Sequence, residues 1–292
     1  MMSSSWGVRA RGLNFPEGPV YLGGGRAAVA EMQGGSIALI SASGDLARIT
    51  GLHGAPNGLV SSVEGGFYVA NNGGLSVTPE GSYWRAADEI DSCVQQVDAS
   101  GAVSTLAVPG AEAGARLNDL CFGPNGRLYV TDSANWDDLK KLSPGRVLSM
   151  SPGGDDVRQE ATVVGLANGI AFMPGGDRLL VALSMSRRII AYPVTQSGLG
   201  EPSDFCVLPG GSPDGMCIDL DGNVYVCGSS GDAVYVFDSA GRLVDEMATP
   251  RGSQPTNCCL GDGLLYVTLS FLGELVVRNI GAEALPLYSG KV

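Results

Sequence analysis

Pro213-Asp214-Gly215-Met216-Cys217-Ile218-Asp219-Leu220-Asp221-Gly222-Asn223-Val224-Tyr225-Val226 holds the pattern that decides the fold. A polar residue and a glycine lead into a short apolar run. A glycine-bearing turn follows, and then a second run of β-branched and aromatic residues. Such runs read as two antiparallel strands joined by a tight turn. The same order recurs along the chain. Pro16-Glu17-Gly18-Pro19-Val20 opens the series. Pro56-Asn57-Gly58-Leu59-Val60 leads to Phe67-Tyr68-Val69-Ala70, and Leu117-Asn118-Asp119-Leu120 to Leu128-Tyr129-Val130. Ala167-Asn168-Gly169-Ile170 leads to Leu179-Leu180-Val181, and Thr256-Asn257-Cys258-Cys259-Leu260 to Leu264-Leu265-Tyr266-Val267. Each repeat continues into a third strand, such as Ala233-Val234-Tyr235-Val236-Phe237, and an outer one, such as Arg242-Leu243-Val244. Repeats of about four strands every ~40–50 residues mark propeller blades. The sequence therefore predicts an all-β fold, a six-bladed β-propeller with four antiparallel strands per blade, filling residues 1–292 as a single domain.

Composition agrees. Glycine supplies 44 of 292 residues, about twice the usual share, with no collagen period. A hydrophobic share of 44% against 16% charged excludes a disordered chain. With 30 acidic and 18 basic residues the net charge is −12, which disfavours nucleic acid and anionic membranes as partners. No apolar run is long enough for a membrane helix, and residues 1–11 lack the apolar core of a signal peptide. The seven cysteines show no zinc-ligand spacing. Cys121, Cys217 and Cys227 read as small core residues. A reducing cytoplasm is the expected location.

Two stretches exceed the repeat. Tyr83-Trp84-Arg85-Ala86-Ala87-Asp88 falls within an insertion in the second repeat, and a long loop, 133–143, carries Asn135-Trp136-Asp137 in the third. Long loops in a tight repeat suit lids and binding loops; Trp136 is a candidate to lie over the channel. Trp6-Gly7-Val8-Arg9-Ala10 alternates like a strand but precedes the first blade. It is expected to close the ring beside Leu275-Val276-Val277 or Ala284-Leu285-Pro286-Leu287-Tyr288, hiding the edge of the last sheet.

Glu17, Asn57, Asn118, Asn168, Asp214 and Asn257 each precede the first apolar run of a repeat. The first strand of a propeller blade lines the central channel, so equivalent positions converge on one axis. Six oxygen-bearing side chains, two of them acids, suit a hard divalent cation. Calcium is preferred because no His or Cys joins the ring; Mg2+, with water completing its shell, Mn2+ and Zn2+ are alternatives. Taken singly, Pro56-Asn57-Gly58 and Pro213-Asp214-Gly215 read as turns. Six side chains with a substrate would crowd one ion, so some, Asn57 and Asn257 first, stand behind the direct ligands.

Glu17-Gly18-Pro19, Arg116-Leu117-Asn118-Asp119, Asn168-Gly169-Ile170-Ala171 and Ser212-Pro213-Asp214-Gly215-Met216 together resemble the senescence marker protein / gluconolactonase / luciferin-regenerating family of six-bladed propellers. The resemblance runs from about Leu13 to Val277. It implies a divalent metal, usually calcium, on Glu17, Asn168 and Asp214, with Asn118 at or beside it. It implies hydrolysis of a small lactone, or of phosphofluoridates in some relatives, with Arg116 and Asn118 near the substrate.

The residue inventory narrows the chemistry. His53 is the only histidine, and it reads as a solvated loop residue rather than a triad member. Nucleophile-elbow, Walker and dinucleotide motifs are missing. What remains is metal-assisted hydrolysis, with Asp214 as general base or as direct nucleophile. The expected function is a calcium-dependent, gluconolactonase-like lactonase acting on a small, sugar-derived lactone. A phosphotriesterase-like or other ester hydrolase on the same cage, or a non-catalytic ligand-binding propeller, are the alternatives.

Overall fold

The computed structural model describes residues 5–109, 114–286 and 288. These form six antiparallel sheets of four principal strands each, arranged as a six-bladed β-propeller. Blade 1 comprises Pro16–Tyr21, Ala27–Glu31, Ser36–Ile40 and Leu46–Ile49; blade 2 comprises Pro56–Ser61, Phe67–Asn71, Cys93–Val97 and Val103–Ala107. Blade 3 follows with Leu117–Phe122, Leu128–Asp132, Gly145–Met150 and Arg158–Val163, and blade 4 with Ala167–Phe172, Arg178–Leu183, Arg188–Thr195 and Ser203–Val207. Blade 5 holds Pro213–Ile218, Val224–Gly228, Ala233–Phe237 and Leu243–Ala248. Blade 6 has only three strands from its own repeat, Pro255–Gly261, Leu264–Leu269 and Glu274–Asn279. Its fourth is the N-terminal strand Gly7–Arg11, in register Gly7 with Val277 and Arg11 with Glu274. Of the two expected pairings, that beside Leu275-Val276-Val277 forms.

Each inner strand packs against the inner strands of both neighbouring blades, and the sixth returns to the first. Apolar residues on both faces of each sheet form cores between consecutive blades. Leu180 and Ile189 of blade 4 meet Met216 and Val226 of blade 5, and Tyr68 and Val94 of blade 2 meet Leu120 and Leu148 of blade 3. Outer strands need only one apolar face, and Leu243–Ala248 is mostly exposed. No helix among the described residues is long and apolar enough to cross a membrane.

The inner strands begin at one end of the channel, called upper here. After blade 6 the chain crosses the lower end. The Leu220 N–H donates to Glu283 O at 3.0 Å and the Leu285 N–H to Ile218 O at 3.4 Å. The Tyr288 ring lies edge-on to Phe172; Leu287 lies outside the described residues. Above this strap is a cavity of about 280 Å³ whose walls include Cys121, Cys217, Cys258 and Cys259. Cys227 is fully buried as expected, but Cys121 and Cys217 are partly exposed. They sit on inner strands, whose side chains reach the channel as well as the core between blades. All seven thiols are free.

A buried ion pair fastens the upper rim of blade 1. Arg48 donates from Nε to Glu31 Oε2 at 2.7 Å and from Nη2 to Oε1 at 2.9 Å. Ser36 Oγ and the Asn14 N–H also donate to this fully buried carboxylate. Burial alone would raise the Glu31 pKa, but the Arg48, Ser36 and Asn14 hydrogen bonds outweigh it and hold it below its ordinary value. A depressed carboxylate adds stability above its unfolded pKa and loses it as pH falls through the folded value. Arg48→Met should therefore cost about 2 kcal/mol at pH 7. That is less than for a fully enclosed pair, because Arg48 is one-third exposed. Urea denaturation checks this, and the gap from wild type should narrow at pH 4 as Glu31 takes a proton.

Candidate active site at the upper end of the channel

The polar-glycine pairs are not turns. Asn57-Gly58 and Asp214-Gly215 lie inside the strands Pro56–Ser61 and Pro213–Ile218, as the second and third residues. The pairing is interrupted there: Pro213 faces Gly228, and regular register resumes only at Met216 with Val226. Blades 2 to 4 share this irregularity, which leaves the second residue out of the ladder. In blade 1 Glu17 still pairs with Ala30, and the break follows it, before Val20. Close approach of the next blade explains the glycines. A Cβ on Gly169 would lie 2.4 Å from Asp214 O, and one on Gly58 would lie 2.6 Å from Asp119 Cα.

Strand alignment corrects one member of the ring. Counting from Pro16, Pro56, Leu117, Ala167, Pro213 and Pro255, the second residues are Glu17, Asn57, Asn118, Asn168, Asp214 and Thr256. Asn257 is a third residue, one level further down the channel. At its level stand Gly18, Gly58, Asp119, Gly169 and Gly215, so only Asp119 and Asn257 project side chains there. The two are neighbours across the channel, and Asn257 favours the charged form of Asp119. The site therefore has three acids, not two. A signal was present in the sequence: where four repeats carry glycine, the third carries Asp119.

These acids sit close together without cations. Glu17 and Asp119 are 5% and 7% exposed. Asp214 is partly open to the channel, with Asn168 and Ser229 among the groups that favour its charged form. Burial, and then the charges of Asp214 and Asp119, push the Glu17 pKa well up. Burial pushes Asp119 up to about 7. Burial, reinforced by the Asp119 charge, pushes Asp214 up to about 8. No ion pair reaches any of the three among the described residues.

This donor set fits a hard divalent cation, because buried like charges with only amide neighbours are relieved by a positive ion. No three His, Cys, Asp or Glu side chains form a metal-holding group among the described residues. A cation here would need the amide oxygens of Asn168 and Asn118 as well as carboxylates. The donors are all oxygen, which disfavours Zn2+ relative to calcium.

The other expected site residues lie around this mouth. Arg116 immediately precedes the inner strand of blade 3. Its Nη1 donates to Asn72 O at 3.0 Å, while its buried Nε has no protein partner. Asn118 is half-buried on that strand and Asn57 is buried on its own. The blade 2 insertion forms a hairpin, Leu75–Val77 with Tyr83–Arg85. It docks on the blade 3 loop: Tyr83 meets Trp136 with ring centroids 5.7 Å apart, and Arg85 pairs with Asp137 at 2.6 Å. On its other side Trp84 packs with Phe15, Met32 and Phe271. The two long loops thus form one wall over blades 1 to 3. His53 lies outside it, exposed and paired with Asp88 at 2.6 Å, as a solvated loop residue should be.

A family profile described as SMP-30/Gluconolactonase/LRE-like region matches residues 15–271. The chain belongs to this family. A gluconolactonase from Zymomonas mobilis is 29% identical over 232 residues, which cover 71% of this chain and 63% of that protein. The chain thus matches somewhat under two thirds of that relative's length. A solved gluconolactonase from Xanthomonas campestris superposes with a TM-score of 0.76 at 21% identity, covering 94% of this chain and 88% of that one. Regucalcin from Agrobacterium tumefaciens, described as a calcium-binding protein, gives a TM-score of 0.77 at 16% identity, covering 97% and 98%. At these identities the two structures speak for the shared fold alone.

The glycine level of this family member is open to a direct test. Gly169→Ala would place a methyl against the Asp214 backbone, an atom that cannot swing aside. Overpacking should cost about 3 kcal/mol and force Asn168 away from Asp214. A lower melting temperature by differential scanning calorimetry is the expected result.

Proposed function

We propose that the protein is a divalent-cation-dependent lactonase, with calcium the preferred ion and a small, sugar-derived lactone as substrate. The observation that carries this reading is the unneutralised Glu17, Asp119 and Asp214 cluster beside Asn168, at the walled end of the channel. Membership of a gluconolactonase-like family supports it. Glu17, Asp214, Asn168 and Asn118 would hold the ion. When bound there, calcium supplies positive charge that polarises an ester carbonyl and stabilises the developing oxyanion.

The remaining roles fall to the chain itself. Asp214 faces the channel and takes the proton of an attacking water, or attacks the carbonyl itself. Asn168, whose Nδ2 donates to Ser184 Oγ at 3.2 Å, and Ser229 stand beside its carboxylate and favour the charged form. Arg116 has a buried Nε–H without a protein partner, and it donates to a substrate hydroxyl or ring oxygen. The blade 2 and blade 3 loops limit access of water from their side, and Trp136 offers an aromatic face near the rim.

A lactone panel followed by pH-stat, with chelator and then with added calcium, tests the reading. Hydrolysis lost with chelator and restored by calcium is expected. Turnover of phosphotriesters but of no lactone would move the site to the other hydrolase class. Calcium binding without hydrolysis of any ester would leave a binding propeller.

A further inference from the structure

We propose that the cavity between blades 4 and 5 is a subsite for an anionic group on the substrate, with Arg187 as its specificity-determining residue. This rests on the lactonase reading and narrows its substrate class to lactones that carry a carboxylate or phosphate.

The cavity is a depression open to solvent, with a volume of about 520 Å³, bordered by Ser184, Arg187, Ser212 and Ser230, with Leu166 and Met185 at its sides. Ser184 joins it to the ring. Its Oγ accepts from Asn168 Nδ2 at 3.2 Å and donates to Pro213 O at 2.8 Å, the residue before Asp214. A ligand held at Asn168 and Asp214 therefore has this cavity as its neighbour. The rim favours that direction. The upper connections of blades 4 and 5 are the short turns 184–187 and 229–232, whereas the long loops stand over blades 2 and 3.

Arg187 is available for an anion. Its Nη1 donates to Pro209 O at 3.3 Å, and no carboxylate pairs with it among the described residues. The adjacent Arg188, by contrast, is paired with Asp204 at 2.6 Å. The free edge of a guanidinium fork matches carboxylate and phosphate oxygens. The Ser212 and Ser230 hydroxyls stand together at the same wall, with oxygens 3.4 Å apart, and add short-range donors.

Charge gives the reason for a cation here. In a chain of net charge −12, an anionic substituent approaching three acids needs compensation away from the reacting centre.

Two measurements test the subsite. The first compares kcat/KM for glucono-1,5-lactone with that for its 6-phosphate and for a glucaric acid lactone, in wild type, Arg187→Gln and Arg187→Lys. The second uses calorimetry to compare sorbitol 6-phosphate with sorbitol, so it needs no turnover. We expect at least one anionic lactone to be preferred about tenfold or more, mainly through KM. The preference should fall about tenfold in Arg187→Gln and be partly kept in Arg187→Lys. The arm that shows it identifies carboxylate or phosphate as the group. Equal use of all three lactones, with sorbitol 6-phosphate binding no tighter than sorbitol, overturns the subsite and leaves the lactonase reading standing. Tighter binding of sorbitol 6-phosphate that Arg187→Gln abolishes, with no lactone hydrolysed, supports the subsite and overturns the lactonase reading.

Discussion

Asp214→Asn should lower hydrolysis by about 10²-fold or more at saturating calcium, while raising the melting temperature of the cation-free protein. The two effects have one origin. Asp214 stands with Glu17 and Asp119 in an enclosed cluster whose charges repel, and burial pushes its pKa up to about 8. A carboxylate raised in the folded state gives stability that is full below its unfolded pKa and is lost as pH rises through the folded value. Cation-free wild type should therefore weaken between about pH 4 and pH 8. The asparagine variant should show a flatter profile across that window. Asparagine keeps the shape and an oxygen for Asn168 and Ser229 to approach, but it accepts no proton and attacks no carbonyl. Thermal scans with chelator from pH 5 to 8, beside initial rates with excess calcium, measure both effects. Near-normal turnover at saturating calcium would reduce Asp214 to a ligand and pass the base role to Glu17.

Removal of residues 1–11 should cost roughly 5 kcal/mol or more, a large part of the ~5–15 kcal/mol that holds a typical domain folded. The strand Gly7–Arg11 is the outer strand of blade 6, so its loss bares the edge Glu274–Asn279. More than the edge is affected. Ala10 is buried with Ala27, Val29 and Ile40 of blade 1 and with Tyr266 and Leu275 of blade 6. Trp6 Nε1 donates to Ala248 O of blade 5 at 2.8 Å, and the Trp6 ring lies 5.8 Å beneath the Arg278 guanidinium. Arg9 Nη1 donates to Ala42 O of blade 1, and Arg11 pairs with Glu274. One segment thus ties the last blade to both neighbours. A fall of at least ~10 °C in melting temperature, with faster unfolding, is expected by calorimetry and stopped-flow fluorescence. A truncated protein melting within 2 °C of the full chain would show that the ring holds without this strand.

Much of the architecture was legible because a propeller repeats one local rule. Each repeat announces its inner strand by a polar residue and a glycine, and its second strand by a run such as Val224-Tyr225-Val226. Six copies of a weak signal make a strong one, and the incomplete last repeat pointed to Trp6–Ala10 as the missing strand. The convergence of Glu17, Asn118, Asn168 and Asp214 followed from the same rule, since a shared place in the repeat is a shared height in the channel.

The rest depended on contacts between residues far apart in sequence. Thr256 rather than Asn257 takes the sixth place, because pairing of Pro255 with Leu269 sets that strand's register, and a one-residue step is invisible where no glycine marks it. Asp119 became the third acid because Gly58 and Gly215, from other blades, leave the space that it and Asn257 fill. Tyr83 and Trp136 belong to different repeats, so only the folded chain joins their loops into one wall. Local pattern is enough to make strands and set their order, because hydrogen bonding and side-chain alternation act between near neighbours. Which side chains share a cavity, and how far their charges displace one another, depends on burial and distance across blades, and those quantities exist only once the ring has closed.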